Sequence, residues 1–268
     1  SLLRSYNREL CCSKIMTHIQ NLDYGFPLVV IDNFYNEQDM EEIWDELNFL
    51  CHPRKMKSPE DTGGAREVDS DGSMKQKKSN RGIFLSDAYT NQFISNIVPC
   101  TERLFENNFA LFKNHPSWWF QNINLPSSTV LFSYYENGDF YKAHADEFVA
   151  TMLVWFYKEP KKFEGGDLEF PDYETADGIP KVEVRNNRIL IFPSTIRHAV
   201  TPISMKEEDV GKKLGRFCMT FGLFPMMAGT PNRAIMDPPD TPTPSPVDIS
   251  SGSDSKPNLY TPSIIIPK

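Results

Sequence analysis

The sequence predicts an α+β fold with a mainly β core, an antiparallel sandwich or jelly roll flanked by N-terminal helices. Three observations carry that prediction. Between Ser128 and Phe224, short β-branched and aromatic runs alternate with turn pairs such as Asn137-Gly138, Gly165-Gly166, Asp177-Gly178 and Asn186-Asn187. Ahead of them, apolar residues recur at the three- and four-residue steps of amphipathic helices. The chain has 268 residues, 40% of them hydrophobic and 24% charged, which is enough for one large core and far from a disordered or collagen-like composition.

Taken in order, residues 1–25 read as an N-terminal extension: the chain starts at Ser1 and its first methionine is Met16. The run from Phe26 to Phe34 is β-branched and bounded by Gly25, the pattern of a buried strand. A helix follows, with Asn36 as its cap, Glu37 and Asp39 in its first turn, and Met40, Ile43, Trp44, Leu47 and Leu50 as a core-facing stripe. Residues 52–80 hold seven basic and five acidic residues with Gly63, Gly64 and Gly72 and almost no large apolar side chains; they read as a long mobile loop, a lid or an inert connection. From Asp87 to Phe112 the helical period returns, broken at Pro99 into two consecutive helices.

The strands expected in the β region are 129–135, 151–157, 167–170, 181–184, 188–192, 199–203 and 216–224. Residues 26–228 thus form the folded domain. The last 40 residues hold nine of the 21 prolines among Ser, Thr and Asp, and read as a mostly disordered tail over 229–268.

The net charge of −8 argues against a broad positive field for nucleic acid. Five scattered cysteines without a C-x-x-C pair give neither a disulfide framework nor a zinc knuckle, which favours a reducing, cytoplasmic setting. No uncharged apolar run approaches the roughly 18 residues of a membrane-spanning helix. The expected chain is soluble and engages neither membrane nor nucleic acid; the sequence leaves its oligomeric state open.

One constellation carries chemistry. In a strand or its extension, residues two apart project to the same side, so His144 and Asp146 face one cavity and can share a metal. A later strand lying opposite would bring His198 as a third ligand. Two imidazoles and one carboxylate on one face of an octahedron are the ligand set of non-haem Fe(II) oxygenases, with open positions for co-substrate and O₂. Beyond them, alternation in Arg216–Phe224 puts Arg216, Cys218 and Thr220 on one side. An interior arginine is costly unless an anion meets it, and a guanidinium fork suits a carboxylate.

From about Pro27 to Phe224 the chain resembles the 2-oxoglutarate/Fe(II)-dependent dioxygenases, nearest to their prolyl 4-hydroxylase-like branch. The resemblance lies in His144-x-Asp146, the distal His198, the cation Arg216 on a later strand, the lead-in Tyr134-Tyr-Glu-Asn-Gly-Asp-Phe-Tyr141, and Gly165-Gly-Asp-Leu-Glu-Phe170. It implies a double-stranded β-helix, Fe(II) on His144, Asp146 and His198, and 2-oxoglutarate held by Arg216, with Lys212 or Lys213 as the fallback cation because the interval after His198 is long. Tyr134 and Tyr135 cannot both face inward; the family's ten-residue spacing to the first ligand selects Tyr134, and Thr220 is the further candidate for the same carboxylate. The implied reaction is hydroxylation of a C–H bond with succinate and CO₂ as co-products and ascorbate as a reductant. Asp146 argues against halogenation, since halogenating relatives carry a small residue there. A protein or peptide side chain, such as proline, is the expected substrate. The alternatives are a small-molecule or nucleobase-directed oxygenase, the latter disfavoured by Gly222 where a second arginine is usual, and a catalytically silent jelly-roll binding module.

Overall fold

The structure is a computed structural model that describes residues 18–68, 70–91, 94–107, 112, 115–123 and 127–224. Residues 1–17 and the proline-rich tail lie outside the described residues, whereas His18–Asp23, expected in the extension, pairs with Pro27–Asp32 as an edge strand of the larger sheet, so the folded domain begins before residue 26.

Two sheets form the β core. The larger has seven strands in the order β1-β2-β12-β8-β15-β6-β5: β1 is His18–Asp23, β2 Pro27–Asp32, β5 Arg81–Phe84, β6 Ser127–Tyr135, β8 Ala150–Phe156, β12 Arg188–Pro193 and β15 Arg216–Phe224. The smaller has four strands in the order β11-β10-β13-β7: β7 is Tyr141–His144, β10 Leu168–Glu169, β11 Lys181–Val182 and β13 His198–Val200. Short pairs complete the set, β3 (Arg66–Val68) with β4 (Met74–Gln76) and β9 (Phe163–Glu164) with β14 (Ser204–Met205). Every strand pairing is antiparallel. The two sheets enclose one apolar layer and the helices cover the far side of the larger sheet, the jelly-roll arrangement expected of a double-stranded β-helix.

That layering explains why β8 and β12 read as unbroken apolar runs: all seven residues of β8 and all six of β12 are buried. Leu153, Trp155, Leu190 and Phe192 point between the sheets toward Leu168, Val182 and Val200. Their alternates Met152, Val154, Phe156, Ile189 and Ile191 point to the other side, where Ile43, Leu47 and Leu50 of α1 (Glu37–Leu50) pack with Ile97, Val98 and Leu104 of α3 (Ile97–Asn107). Two short helices, α2 (Leu85–Ala88) and α4 (Trp118–Gln121), complete the helical side.

Asn36 caps α1 in a reciprocal capping box with Asp39. The buried carboxylate of Glu46 on α1 accepts from the Asn96 and Ile97 N–H groups at 2.7 and 2.9 Å, so one helix supplies the missing acceptors at the start of the next. Pro99 does not divide two helices as expected. It sits in the first turn of α3, where its absent N–H has no intrahelical partner to lose.

Strand β15 has the expected bounds, and the other expected strands are met with ends shifted by a few residues. Residues 52–80 are not a featureless loop. They carry a 3₁₀ turn at Glu60–Thr62 and the β3–β4 hairpin, and then run along β7, where the Lys142 N–H donates to Lys77 O at 2.8 Å and the Ser79 N–H to Phe140 O at 3.2 Å. Among the described residues no helix is long and apolar enough to cross a membrane.

Candidate active site

The smaller sheet positions the three metal-ligand candidates. His144 ends β7 and His198 begins β13, and the register places them directly opposite each other with ring centroids 4.3 Å apart. Asp146 follows two residues beyond β7, where its N–H donates to Ser194 O at 3.0 Å. The ligand atoms of the three residues all lie within 4.8 Å of one another, with each histidine Nε2 3.6 Å from an Asp146 oxygen.

Each ligand is held by a partner behind it. His144 Nδ1 donates to Lys142 O and His198 Nδ1 to Ile196 O, both at 2.9 Å. A carbonyl can only accept, so these bonds fix the proton on Nδ1 and leave each Nε2 lone pair facing the common point. The Thr151 hydroxyl donates to Asp146 Oδ2 at 2.6 Å and lies 2.7 Å from the Ser194 hydroxyl. Tyr141 stacks flat on His144, with centroids 3.6 Å apart and planes at 14°. Burial, and secondarily the His198 charge, push His144 down to about 2; burial lowers His198 too, opposed by Asp146. Both imidazoles are therefore neutral at physiological pH, the state that binds a cation.

The cation stands on the larger sheet. Arg216 opens β15 and is 1% exposed. Its guanidinium carbon lies 4.8 Å from the Tyr135 ring and 5.1 Å from the Trp155 ring, yet its Nε, Nη1 and Nη2 have no hydrogen-bond partner. Gly166 (φ +75°) lets the chain pass, since a Cβ there would stand 3.0 Å from Arg216 Cδ. His144, Asp146, His198, Arg216, Tyr135 and Thr220 all line one cavity of about 180 Å³. Arg216, Cys218 and Thr220 do share a face. Lys212 is exposed, and Lys213 Nζ donates to Asn48 O, so neither fallback cation lines the cavity.

Tyr134 is a correction. It faces the helical side against Phe217, and its hydroxyl donates to Glu136 and accepts from the Gly215 N–H, both at 3.1 Å. The β6–β15 register sets Arg216 opposite Tyr135, so Tyr135 is the inward tyrosine. Sequence reasoning set Tyr135 aside in favour of Tyr134 and gave no site role to Tyr141, Lys78 or Asn80. For Tyr135 the signal was available: it shares the strand parity of Leu131 and Ser133, which also line the cavity.

The double-stranded β-helix thus carries a His/Asp/His cluster in one sheet and an unpartnered interior arginine in the other. Residues 130–221 match the 2OG-Fe(II) oxygenase superfamily. A PKHD-type hydroxylase of Shewanella sp. (strain MR-7) is 24% identical over 136 residues, 47% of this chain and 59% of the relative. One of Teredinibacter turnerae is 30% identical over 84 residues, 27% of this chain and 36% of the relative. A prolyl-4-hydroxylase structure from Pseudomonas putida superposes with TM-score 0.46 at 13% identity, over 75% of this chain and 93% of that one. The chain thus spans less than two thirds of these curated relatives. The family match covers residues 130–221, and over that stretch the chain is similar to the 2-oxoglutarate/Fe(II) oxygenase superfamily. The superfamily's cofactors are Fe(II), 2-oxoglutarate and O₂. The residues present fit that set: three ligand atoms converge, and a buried guanidinium lacks an anion.

Proposed function

We propose that this protein is an Fe(II)- and 2-oxoglutarate-dependent dioxygenase that hydroxylates a C–H bond on a protein or peptide side chain, proline foremost, releasing succinate and CO₂. The observation that carries the reading is Arg216, a fully buried cation whose fork has no partner and which shares a cavity with the triad. Leaving such a charge uncompensated costs several kcal/mol, so the site is built for an anion that arrives from outside.

His144, Asp146 and His198 would hold the metal, which when bound would supply the binding of the 2-oxo acid and the activation of O₂. Arg216 receives the far carboxylate through its fork, Tyr135 and Trp155 keep that fork in plane, and Thr220 offers a hydroxyl on the same wall. The Lys142 and Ile196 carbonyls hold the two imidazole protons away from the metal side. Thr151 aims the Asp146 carboxylate. The stacked Tyr141 ring covers one face of His144 and excludes water from it. Ascorbate serves as reductant for uncoupled turnovers.

Two further features bear on the competing readings. A Cβ at Gly222 would run into the Phe148 ring, so the place where nucleobase-directed relatives carry a second arginine is filled here by an aromatic ring. The bonds that aim all three ligands speak against a silent binding module.

The test is succinate release from labelled 2-oxoglutarate with Fe(II) and ascorbate. The parent is expected to turn over slowly without a second substrate and His144→Ala not at all; an inactive parent that also fails to bind iron would overturn the reading. A one-oxygen mass gain on peptides would identify the acceptor.

A further inference from the structure

The cavity contains a second cation that the proposed chemistry does not use. Lys78 is 2% exposed and lines the same cavity as the triad and Arg216. It is not on a loose loop: Lys78 bridges to Tyr141 across the sheet edge, and the flanking Lys77 and Ser79 hydrogen-bond to Lys142 and Phe140. Its Nζ donates to Thr62 Oγ1 at 2.9 Å and to Thr62 O at 3.3 Å and stands 5.4 Å from the Tyr141 ring centre. None of these partners is charged. The acid that acts on it is Glu60, whose carboxylate lies 3.5 Å from Arg66. Burial lowers the Lys78 ammonium to about 8, so it keeps its charge at neutral pH.

Two residues on, Asn80 is also 2% exposed and lines the cavity, and its Oδ1 has no hydrogen-bond partner. A buried cation whose hydrogen-bond partners are all neutral and a buried acceptor without a donor, on one wall, are the complement of a ligand that carries a carboxylate and an N–H group. 2-Oxoglutarate does not fill both positions. It has two carboxylates, one for the metal and one for Arg216, and no N–H. Lys78 and Asn80 are therefore left for the second substrate.

Resting on the oxygenase reading above, we propose that Lys78 and Asn80 form the acceptor subsite, and that the substrate is an acidic peptide whose Asp or Glu carboxylate meets Lys78 while a backbone N–H meets Asn80. The local charge agrees. In a chain of net charge −8, residues 52–80, which supply Thr62, Gly63, Lys78 and Asn80 to the cavity wall, carry a surplus of two positive charges, which favours an acidic segment there.

The experiment uses the full chain loaded with Fe(II) and two peptide pools, identical except that every Asp and Glu of one is Asn and Gln in the other. The acidic pool is expected to accelerate succinate release and gain oxygen, at least about tenfold more than the amide pool, a close charge pair being worth about that factor or more. Lys78→Gln, which can keep a hydrogen bond to Thr62, is expected to erase the difference between pools. Lys78→Arg should retain part of it, and Asn80→Ala should slow turnover of the acidic pool. All three should leave basal succinate release and the KM for 2-oxoglutarate within about twofold. Equal response to both pools, no response to the acidic pool, or a KM for 2-oxoglutarate raised in Lys78→Gln would each overturn the subsite while the oxygenase reading stands. Absence of basal succinate release in the parent would remove that reading and the subsite with it.

Discussion

Arg188 and Arg216 each open a strand of the larger sheet, at 5% and 1% exposure, and have opposite surroundings. Arg188 Nε and Nη2 reach both oxygens of Asp32, at 2.5 and 2.7 Å, and Nη1 reaches Glu183 O at 2.8 Å. The register sets Arg188 opposite Asp32, so the pair clips β12 to β2. Arg216 has aromatic faces and no acceptor. Equal burial therefore does not mean equal surroundings: the fold completes one fork and leaves the other without an acceptor.

The largest effect is expected where the completed fork is broken. Asp32→Asn or Arg188→Met should lower unfolding free energy by about 3–5 kcal/mol, because each strands the remaining charge or its hydrogen bonds in the interior. Denaturant midpoints would measure this, and the KM for 2-oxoglutarate should not move in variants still folded. A loss under about 1 kcal/mol would remove the contrast.

Arg216→Met is expected to do the reverse. It removes a buried charge that has no partner, so the melting temperature of the ligand-free protein should hold or rise. The KM for 2-oxoglutarate in succinate release should rise about a hundredfold, the scale of a lost charge-assisted fork. A marked loss of stability with unchanged KM would make Arg216 structural and sink the contrast from the other side.

The triad imidazoles are a third kind of buried basic group, kept neutral rather than charged. An unfolded histidine takes its proton near pH 6.5. Folded His144 does so only near 2, and His198 is lowered in the same direction by burial. Between those limits the unfolded chain binds more protons than the folded one, so metal-free stability should fall as pH drops below about 6.5. The slope approaches about 1.4 kcal/mol per pH unit for each histidine. Urea titrations between pH 7 and pH 5 would show it, and His144→Gln should halve the slope. A flat profile would mean that the folded rings take up protons as readily as those of the unfolded chain.

How much of this the sequence discloses depends on whether a residue's partner is local. Strand β15 was legible because alternation over nine residues fixes which side chains share a face, and that put Arg216, Cys218 and Thr220 together. His144 and Asp146 were legible for the same reason, being two apart. His198 and its position opposite His144 required the resemblance, since no short-range rule pairs β7 with β13. Pro99 was misread because a proline marks both a helix break and a helix first turn, and only the Glu46 carboxylate from another helix decides between them. Lys78 was hidden in a segment whose composition describes an open loop; its burial comes from pairing with β7, a contact made across 63 residues of sequence.

The smallest effect separates two neighbours. The ten-residue spacing favoured Tyr134, but its hydroxyl bridges Glu136 and the Gly215 N–H on the helical side, while the Tyr135 ring lies against the Arg216 guanidinium. Tyr134→Phe should cost about 1 kcal/mol of stability, through the unmet Gly215 donor, with no change in the KM for 2-oxoglutarate. Tyr135→Leu should raise that KM about threefold, since the ring face contributes roughly 0.5–1 kcal/mol to holding the cation in place. Measuring both constants in both variants makes the pair its own control. If the KM responds to Tyr134→Phe and not to Tyr135→Leu, then the inward tyrosine is the one that spacing selects, and the β6–β15 register is shifted by one residue.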